Sequence, residues 1–312
     1  MVKATTPVAL NDAPEVVQQL IAEREVARKN KDFARADILR QEIASQGYLV
    51  NDKPGGYDLY LQGDSSKQAA RHYLVLFGSG ENAPSSVAIY RDLFLTLGKR
   101  DLKIALVTTP AGFQPNVARV YGEIKDFLLA SLPDFNLQVD IIFANNRNDA
   151  NNPELVEGLQ DVDVIFTGPG SPTYAAKHLR GTLLLTKIID RVKNGVTLIL
   201  ASAATISFSH FALPVYEIYK VGEELHWEDG LDFYDSVWQR ATIIPHFNNM
   251  EGGEGLDTSH CYVGRDRFAK LHAQLPQNEW VMGIDEHTAY IIDLETQKAE
   301  TRGKGTVHEI TL

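Results

Sequence analysis

The chain has 312 residues, 44% of them hydrophobic and 23% charged, enough to bury a large core in one large domain or two unequal ones. Its formal net charge of −11 is local: residues 1–71 carry ten Lys/Arg and ten Asp/Glu, leaving 20 against 31 in residues 72–312, so the main body repels phosphate backbones and tolerates a cationic substrate. No run of about 18 apolar residues predicts a membrane span, the first residues lack an apolar signal-peptide core, and the single cysteine, Cys261, excludes an internal disulfide; a cytoplasmic protein is expected.

In chain order, residues 14–29 carry Val16, Val17, Leu20, Ile21 and Ala27 at helical spacing, and Phe33 to Ala44 repeats the pattern with Phe33, Ala36, Ile38, Leu39 and Ile43. Asp32 is placed to cap the second helix and Gly47 to stop it, which predicts a helical hairpin. Tyr48 to Leu61 reads as two short extended runs around a turn at 52–56. Residues 1–62 then form one small module, 63–71 a polar linker, and 72–312 the main domain.

From residue 72 short apolar strands alternate with helices. Strands are expected at 73–77, 103–108, 139–143, 162–166 and 196–201, and helices at 87–97, 117–132, 172–179 and 183–193. Continuous apolar strands between helices indicate an α/β fold with a parallel sheet covered on both faces. Functional groups in such sheets sit beyond the carboxyl ends of the strands. That rule places Gly78–Glu81, Thr108–Phe113, Gly168–Ser171 and Ser202 along one rim. After residue 210 the pattern is less regular, with late strands expected at 242–244 and 290–293.

Ser202 directly follows the strand at 196–201 and precedes Ala203-Ala204-Thr205. A serine on a sharp strand-to-helix turn is lifted clear of the backbone, with the next N–H aimed where an oxyanion forms. A plain serine capping a helix fits the local residues equally well. His246 follows one late strand and Glu286 precedes the other, so a Ser–His–Glu triad needs the fold to bring the three together. His246, Glu254, His260 and Cys261 match no compact zinc spacing, and no metal or cofactor is expected. Cys261 is not on the serine turn.

Residues 72–293 resemble the dipeptidase E / cyanophycinase family of serine peptidases. The likeness rests on six ordered segments: LVLFGSGE (74–81), FTGPGSP (166–172), LASAAT (200–205), PHF (245–247), RDRFAKL (265–271) and GIDEHTA (283–289). It implies a flavodoxin-like parallel sheet of the class I glutamine-amidotransferase type. It further implies Ser202 as nucleophile, His246 as base and Glu286 as the orienting acid. The oxyanion turn then comprises the N–H of Ala203 and one from Gly168 or Gly170. Asn248, Arg265 and Arg267 are candidate substrate-binding residues, and Asn248–Tyr262 a lid. The acidic segment 223–230 is a candidate receiver of a cationic side chain.

Two departures from the family pattern bear on activity. Leu200 and Ala204 stand where the family's serine turn has glycines. Pro169 stands in a turn that usually begins Gly-Gly, and proline has no N–H to donate. An oxyanion donor lost at that position costs about 10²–10³ in rate unless Gly170 replaces it.

Residues 18–57 resemble the C-terminal end of bacterial cysteinyl-tRNA synthetase, through Arg24, Ala27, Arg28, Lys31, Asp32, Phe33, Ala36, Asp37, Arg40, Gly47 and Asp52. The synthetase's zinc and ATP motifs do not appear, so a cysteine–tRNA ligase is not expected. Arg24, Arg28, Lys31 and Arg40 are the candidate phosphate contacts. A hairpin that packs or dimerises is the plainer reading, and a homodimer fits it. The function expected is a serine-type hydrolase acting on a small peptide or amide-linked amino acid, aspartyl- or arginyl-containing, or on an aminoacyl group. The alternatives are a binding protein of the same fold that has lost turnover and a tRNA-associated factor.

Overall fold

The computed structural model describes residues 5–53, 56–62 and 71–310. Its contacts divide the chain into two compact units, residues 1–70 and 71–312. The expected linker lies outside the described residues except for Arg71, as do Pro54 and Gly55 of the expected turn.

The first unit is a helical hairpin on a three-stranded sheet. Its strands are β1 (Thr5–Pro7), β2 (Tyr48–Lys53) and β3 (Gly56–Gln62), in the order β1-β3-β2 and antiparallel throughout. The helices span Glu15–Lys29 and Phe33–Ser45, and the Asp32 carboxylate accepts the Arg35 N–H at 3.0 Å as the expected cap. The buried stripe is narrower than the apolar residues suggest. Val17, Ile21 and Ala27 are buried on the first helix and Ala36, Leu39 and Ile43 on the second, while Val16, Phe33 and Ile38 are exposed. Arg24 occupies the remaining place on the first helix's stripe, at 2% exposure.

That burial corrects one expectation. The Arg24 guanidinium is closed on Asp52, which accepts it with both carboxylate oxygens at 2.8 Å, so it is not presented to a phosphate. Arg28 and Arg40 converge on the same carboxylate at 2.6 and 3.1 Å. Lys31 remains exposed, on a left-handed backbone with φ 60°. Burial pushes the Asp52 carboxyl up, but the hydrogen bond and charge of Arg24, with Arg28 and Arg40, outweigh it and hold the group below the ordinary carboxylate range.

The second unit carries the remaining twelve strands described: β4 (Tyr73–Phe77), β5 (Asp101–Val107), β6 (Asn136–Ile142), β7 (Val164–Thr167), β8 (Thr197–Ala201), β9 (Phe211–Ala212), β10 (Glu228–Asp229), β11 (Thr242–Ile244), β12 (Val281–Ile284), β13 (Thr288–Asp293), β14 (Ala299–Gly303) and β15 (Val307–Ile310). Seven form the main sheet, in the order β14-β13-β4-β8-β7-β5-β6. The five from β4 to β6 are parallel, and β13 and β14 extend the sheet with antiparallel pairing. Alternation along the strands divides the core between two faces. Leu74, Leu76, Leu198 and Leu200 pack with the helix Leu183–Lys193; Tyr73, Val75, Phe77 and Ile199 pack with the helices Val87–Thr96 and Val117–Ser131. The strands expected up to residue 201 are all present. Among the described residues no helix is long and apolar enough to cross a membrane.

A second sheet, β11-β12-β15, was only partly expected, because β12 and β15 are four residues each and lack a strong alternation. β11 and β12 run parallel, β15 antiparallel, and the helix Arg265–His272 covers them through Phe268 and Leu271. The chain leaves this sheet at β12 and enters the main sheet at β13, three residues later. Glu286 sits in that crossing.

The Asp52 cluster yields a prediction. Asp52→Ala leaves the buried Arg24 with Glu25 as its one remaining carboxylate partner among the described residues and should destabilise the first unit by about 3 kcal/mol. Urea unfolding of the full chain, followed with a probe in residues 5–62, measures it. A loss below about 1 kcal/mol, the range of an exposed ion pair, contradicts the reading.

Candidate active site

Ser202 follows β8 as the N-cap residue of the short helix Ala203–Ser207, with φ 52° and ψ −115°. This is a conformation L side chains rarely adopt, costing about 1–3 kcal/mol, and such strain concentrates at functional positions. The Ser202 side chain makes no capping hydrogen bond. Its Oγ instead lies 2.9 Å from Nε2 of His246. Leu200 and Ala204, on either side of the Ser202 turn, are both fully buried, and the Ala204 N–H donates to the Gly168 carbonyl at 3.2 Å.

His246 follows β11 of the smaller sheet, also left-handed at φ 51°. Its Nδ1 is 2.7 Å from Oε1 of Glu286. A proton on Nδ1 directed at that carboxylate leaves Nε2 as acceptor for the Ser202 hydroxyl. Main-chain bonds fix the ring from both sheets. The His246 N–H donates to the Gly78 carbonyl at 3.0 Å, and the Phe247 N–H to the Ile284 carbonyl at 3.1 Å.

Glu286 is held by residues the sequence reading assigned elsewhere or missed. The Asn248 side chain accepts the Glu286 N–H at 2.8 Å, so this candidate substrate binder is spent on positioning the acid. Asn249, 1% exposed, donates from Nδ2 to Oε1 of Glu286 at 2.9 Å. The hydrogen bond from His246, then that from Asn249, outweigh partial burial and hold the Glu286 carboxyl below its ordinary range. Glu81, on the turn after β4, is buried near the same histidine. Burial pushes its carboxyl up, against the opposing pull of His246 and His287.

A cavity of about 280 Å³ opens over the triad. Gly170, Ser202, Ala203 and His246 line its floor, and Tyr216, Tyr219, Lys220, Glu251, Cys261 and Tyr262 its walls. Tyr262 packs on His246 with ring centres 5.7 Å apart, and its hydroxyl donates to Glu251 at 3.1 Å. Lys220 lies over the Tyr219 ring, 4.6 Å from its centre, on a single π-helical turn, Glu217–Val221. The expected lid, 248–262, thus supplies part of one wall. Cys261 is buried, its thiol pushed up by burial and by Glu286, which opposes a nucleophilic role.

At the turn Gly168–Ser171, Pro169 has no N–H and the Ser171 N–H is taken by the Pro110 carbonyl at 2.8 Å. The N–H groups of Gly170 and Ala203 find no acceptor among the described residues. Gly170 has φ 148°, and a Cβ there would overlap the Pro110 carbonyl, so the turn admits only glycine.

Three candidates fall outside the cavity. Arg265 lines a separate hollow with Asp257 and His260. Arg267 donates to the carbonyls of Val263 and Tyr262 at 2.5 and 3.3 Å, tying down the chain rather than a substrate. The acidic segment 223–230 folds around His226, with Glu223 and Glu228 at 3.9 and 3.5 Å. Among the described residues no group of three or more His, Cys, Asp or Glu is placed to hold a metal ion.

Comparison with known proteins divides along the chain. Residues 10–57 match the cysteinyl-tRNA ligase anticodon binding domain. The chain is 60% identical over 40 residues to the cysteine–tRNA ligase of Acidiphilium cryptum, covering 13% of this chain and 9% of that protein. It is 58% identical over 43 residues to that of Chlamydia pneumoniae, covering 14% and 9%. The chain therefore spans about a tenth of the length of the curated relatives it matches. In structure it is similar to a peptidase from an acI-B1 Actinobacterium, with TM-score 0.59 and 23% identity over 78% of this chain and 93% of that one. That likeness establishes the mixed α/β fold around the seven-stranded sheet.

Asn249→Ala tests how the acid is held. It should destabilise the fold by about 1–2 kcal/mol at neutral pH. The Glu286 carboxyl is depressed in the folded state, so its stabilisation is fully present above the unfolded value of about 4.3 and lost as pH falls through the lower folded one. The gap between wild type and Asn249→Ala should therefore narrow on acidification. Denaturant midpoints at pH 7 and below pH 4 read it, and a constant gap contradicts the assignment.

Proposed function

We propose that the second unit is a serine-type hydrolase that cleaves a small peptide or amide-linked amino acid through Ser202, His246 and Glu286. The observation that carries this reading is the pair of contacts at 2.9 and 2.7 Å linking the three side chains, of which Ser202 and His246 line the cavity. Ser202 Oγ attacks the scissile carbonyl carbon while His246 takes the hydroxyl proton. The N–H groups of Ala203 and Gly170 receive the oxyanion, Gly170 replacing the donor that Pro169 lacks. His246 then protonates the leaving nitrogen, and a water deprotonated by the same ring releases the acyl group. Lys220 and Glu251 on the walls suit a substrate bearing a carboxylate and an ammonium, as short aspartyl or arginyl peptides do. A second reading, tRNA contact by the first unit, is supported by the family match over residues 10–57.

A fluorophosphonate probe should label wild type and fail on Ser202→Ala, and Glu286→Gln should lower the labelling rate about 10⁴-fold. Equal labelling of wild type and Ser202→Ala, or none of either, would leave a binding protein in place of an enzyme. For the first unit, filter binding should retain tRNA at about 50 mM salt and lose it steeply as salt rises; no retention at low salt removes that role.

A further inference from the structure

We propose that the groove beside the Ser202 cavity binds the terminal ribonucleotide of an aminoacyl ester, so that the aminoacyl carbonyl enters the cavity at Ser202. This rests on the Ser202 nucleophile of the hydrolase reading above and goes beyond it, from an amide to an ester substrate. The groove has a volume of about 720 Å³ and is continuous with the cavity through Tyr216 and Lys220, which line both.

Three features of the groove select one ligand. Phe113 is 48% exposed and packs against Tyr174 with ring centres 5.2 Å apart, a flat apolar face open to solvent. Lys177 and Lys220 flank it, and neither forms an ion pair among the described residues. Glu217 accepts the Thr173 hydroxyl with Oε1 at 2.6 Å, while its Oε2 is buried with no partner among the described residues. That oxygen is closed to solvent, so Glu217 acts here by fixing Thr173, whose side chain lines the groove beside the lysines. The aromatic face takes a base by stacking and the lysines take phosphate. The acidic body confines such recognition to the chain end, since a longer phosphate run would meet repulsion. The same chain carries a module matching a tRNA ligase's anticodon binding domain, so RNA is a coherent source of the ligand.

The chemistry closes with the groups present. Ser202 Oγ bonds to the ester carbonyl carbon, the bond from that carbon to the ribose oxygen breaks, and His246 delivers the serine proton to the departing ribose oxygen. Water then attacks the acyl-serine, its proton passing through His246 back to Ser202 Oγ. The products are a free amino acid, its ammonium beside Glu251, and a ribonucleotide with its hydroxyl restored.

Full-length protein is tested on alanine esterified to the 3′ end of a short RNA, on alanine ethyl ester and on an alanyl dipeptide. The RNA ester should be cleaved with kcat/KM at least about tenfold above the ethyl ester, and Phe113→Ala and Lys177→Ala should each lower that ratio about tenfold, the scale of a lost stack. Ser202→Ala protein should bind a non-hydrolysable 3′-alanylamido-adenosine, with Kd about tenfold weaker when Phe113→Ala is added. Equal efficiency on both esters, a ratio unmoved by the groove variants, or no saturable binding of the analogue overturns the proposal. So does preferred cleavage of the dipeptide at a groove-sensitive rate, which would assign the groove to peptides. Failure of the fluorophosphonate probe on Ser202 defeats the hydrolase reading alone, because the binding measurement still decides the groove.

Discussion

The arrangement around Ser202 depends on the backbone at Gly78, where the seven-stranded sheet meets the β11-β12-β15 sheet. The Gly78 N–H donates to Thr288 at the start of β13, and its carbonyl accepts the His246 N–H that follows β11. The Ser202 N–H reaches the neighbouring Phe77 carbonyl at 3.4 Å. The segments bearing Ser202 and His246, and the strand entered just after Glu286, thus bond to one stretch of two residues. A side chain does not fit there, since a Cβ on Gly78 would overlap the main-chain oxygens of Ile284 and Asp285. The triad geometry is a property of this junction of main chains more than of the three side chains.

The parts legible in the sequence are those written in local chemistry or ordered motifs. Continuous apolar strands announced the parallel core, and Asp32 and Gly47 marked the hairpin. Ser202, His246 and Glu286 emerged only as members of an ordered set, because each alone has a plain structural explanation. The support of the site was not legible. Asn249 contacts Glu286 across 37 positions, and nothing local distinguishes an asparagine that holds a carboxylate from one that meets water. The π-helical turn carrying Lys220 leaves no simple apolar period. Arg24 looked like a phosphate contact because charge is visible in sequence and burial is not.

Both units use one electrostatic device for different ends. In the first, Asp52 binds three guanidinium groups, the buried one of Arg24 among them, which engages charge that composition alone would assign to a partner. In the second, hydrogen bonds from His246 and Asn249 favour the ionised form of Glu286. Each carboxyl lies below its ordinary range because donors converge on it.

The pairing of β12 with β15 bears on when the site forms during synthesis. Residues 281–284, just before Glu286, lie between β11 and β15, and the Asp285 side chain accepts the Thr306 N–H and meets His308 at 2.9 Å. These partners lie 21 and 23 residues further along the chain. A nascent chain can complete the parallel core and present Ser202 and His246 while the crossing that carries Glu286 still lacks its outer strand. The contacts that hold Asp285, next to Glu286, are therefore complete only once residues 306–308 have emerged and docked.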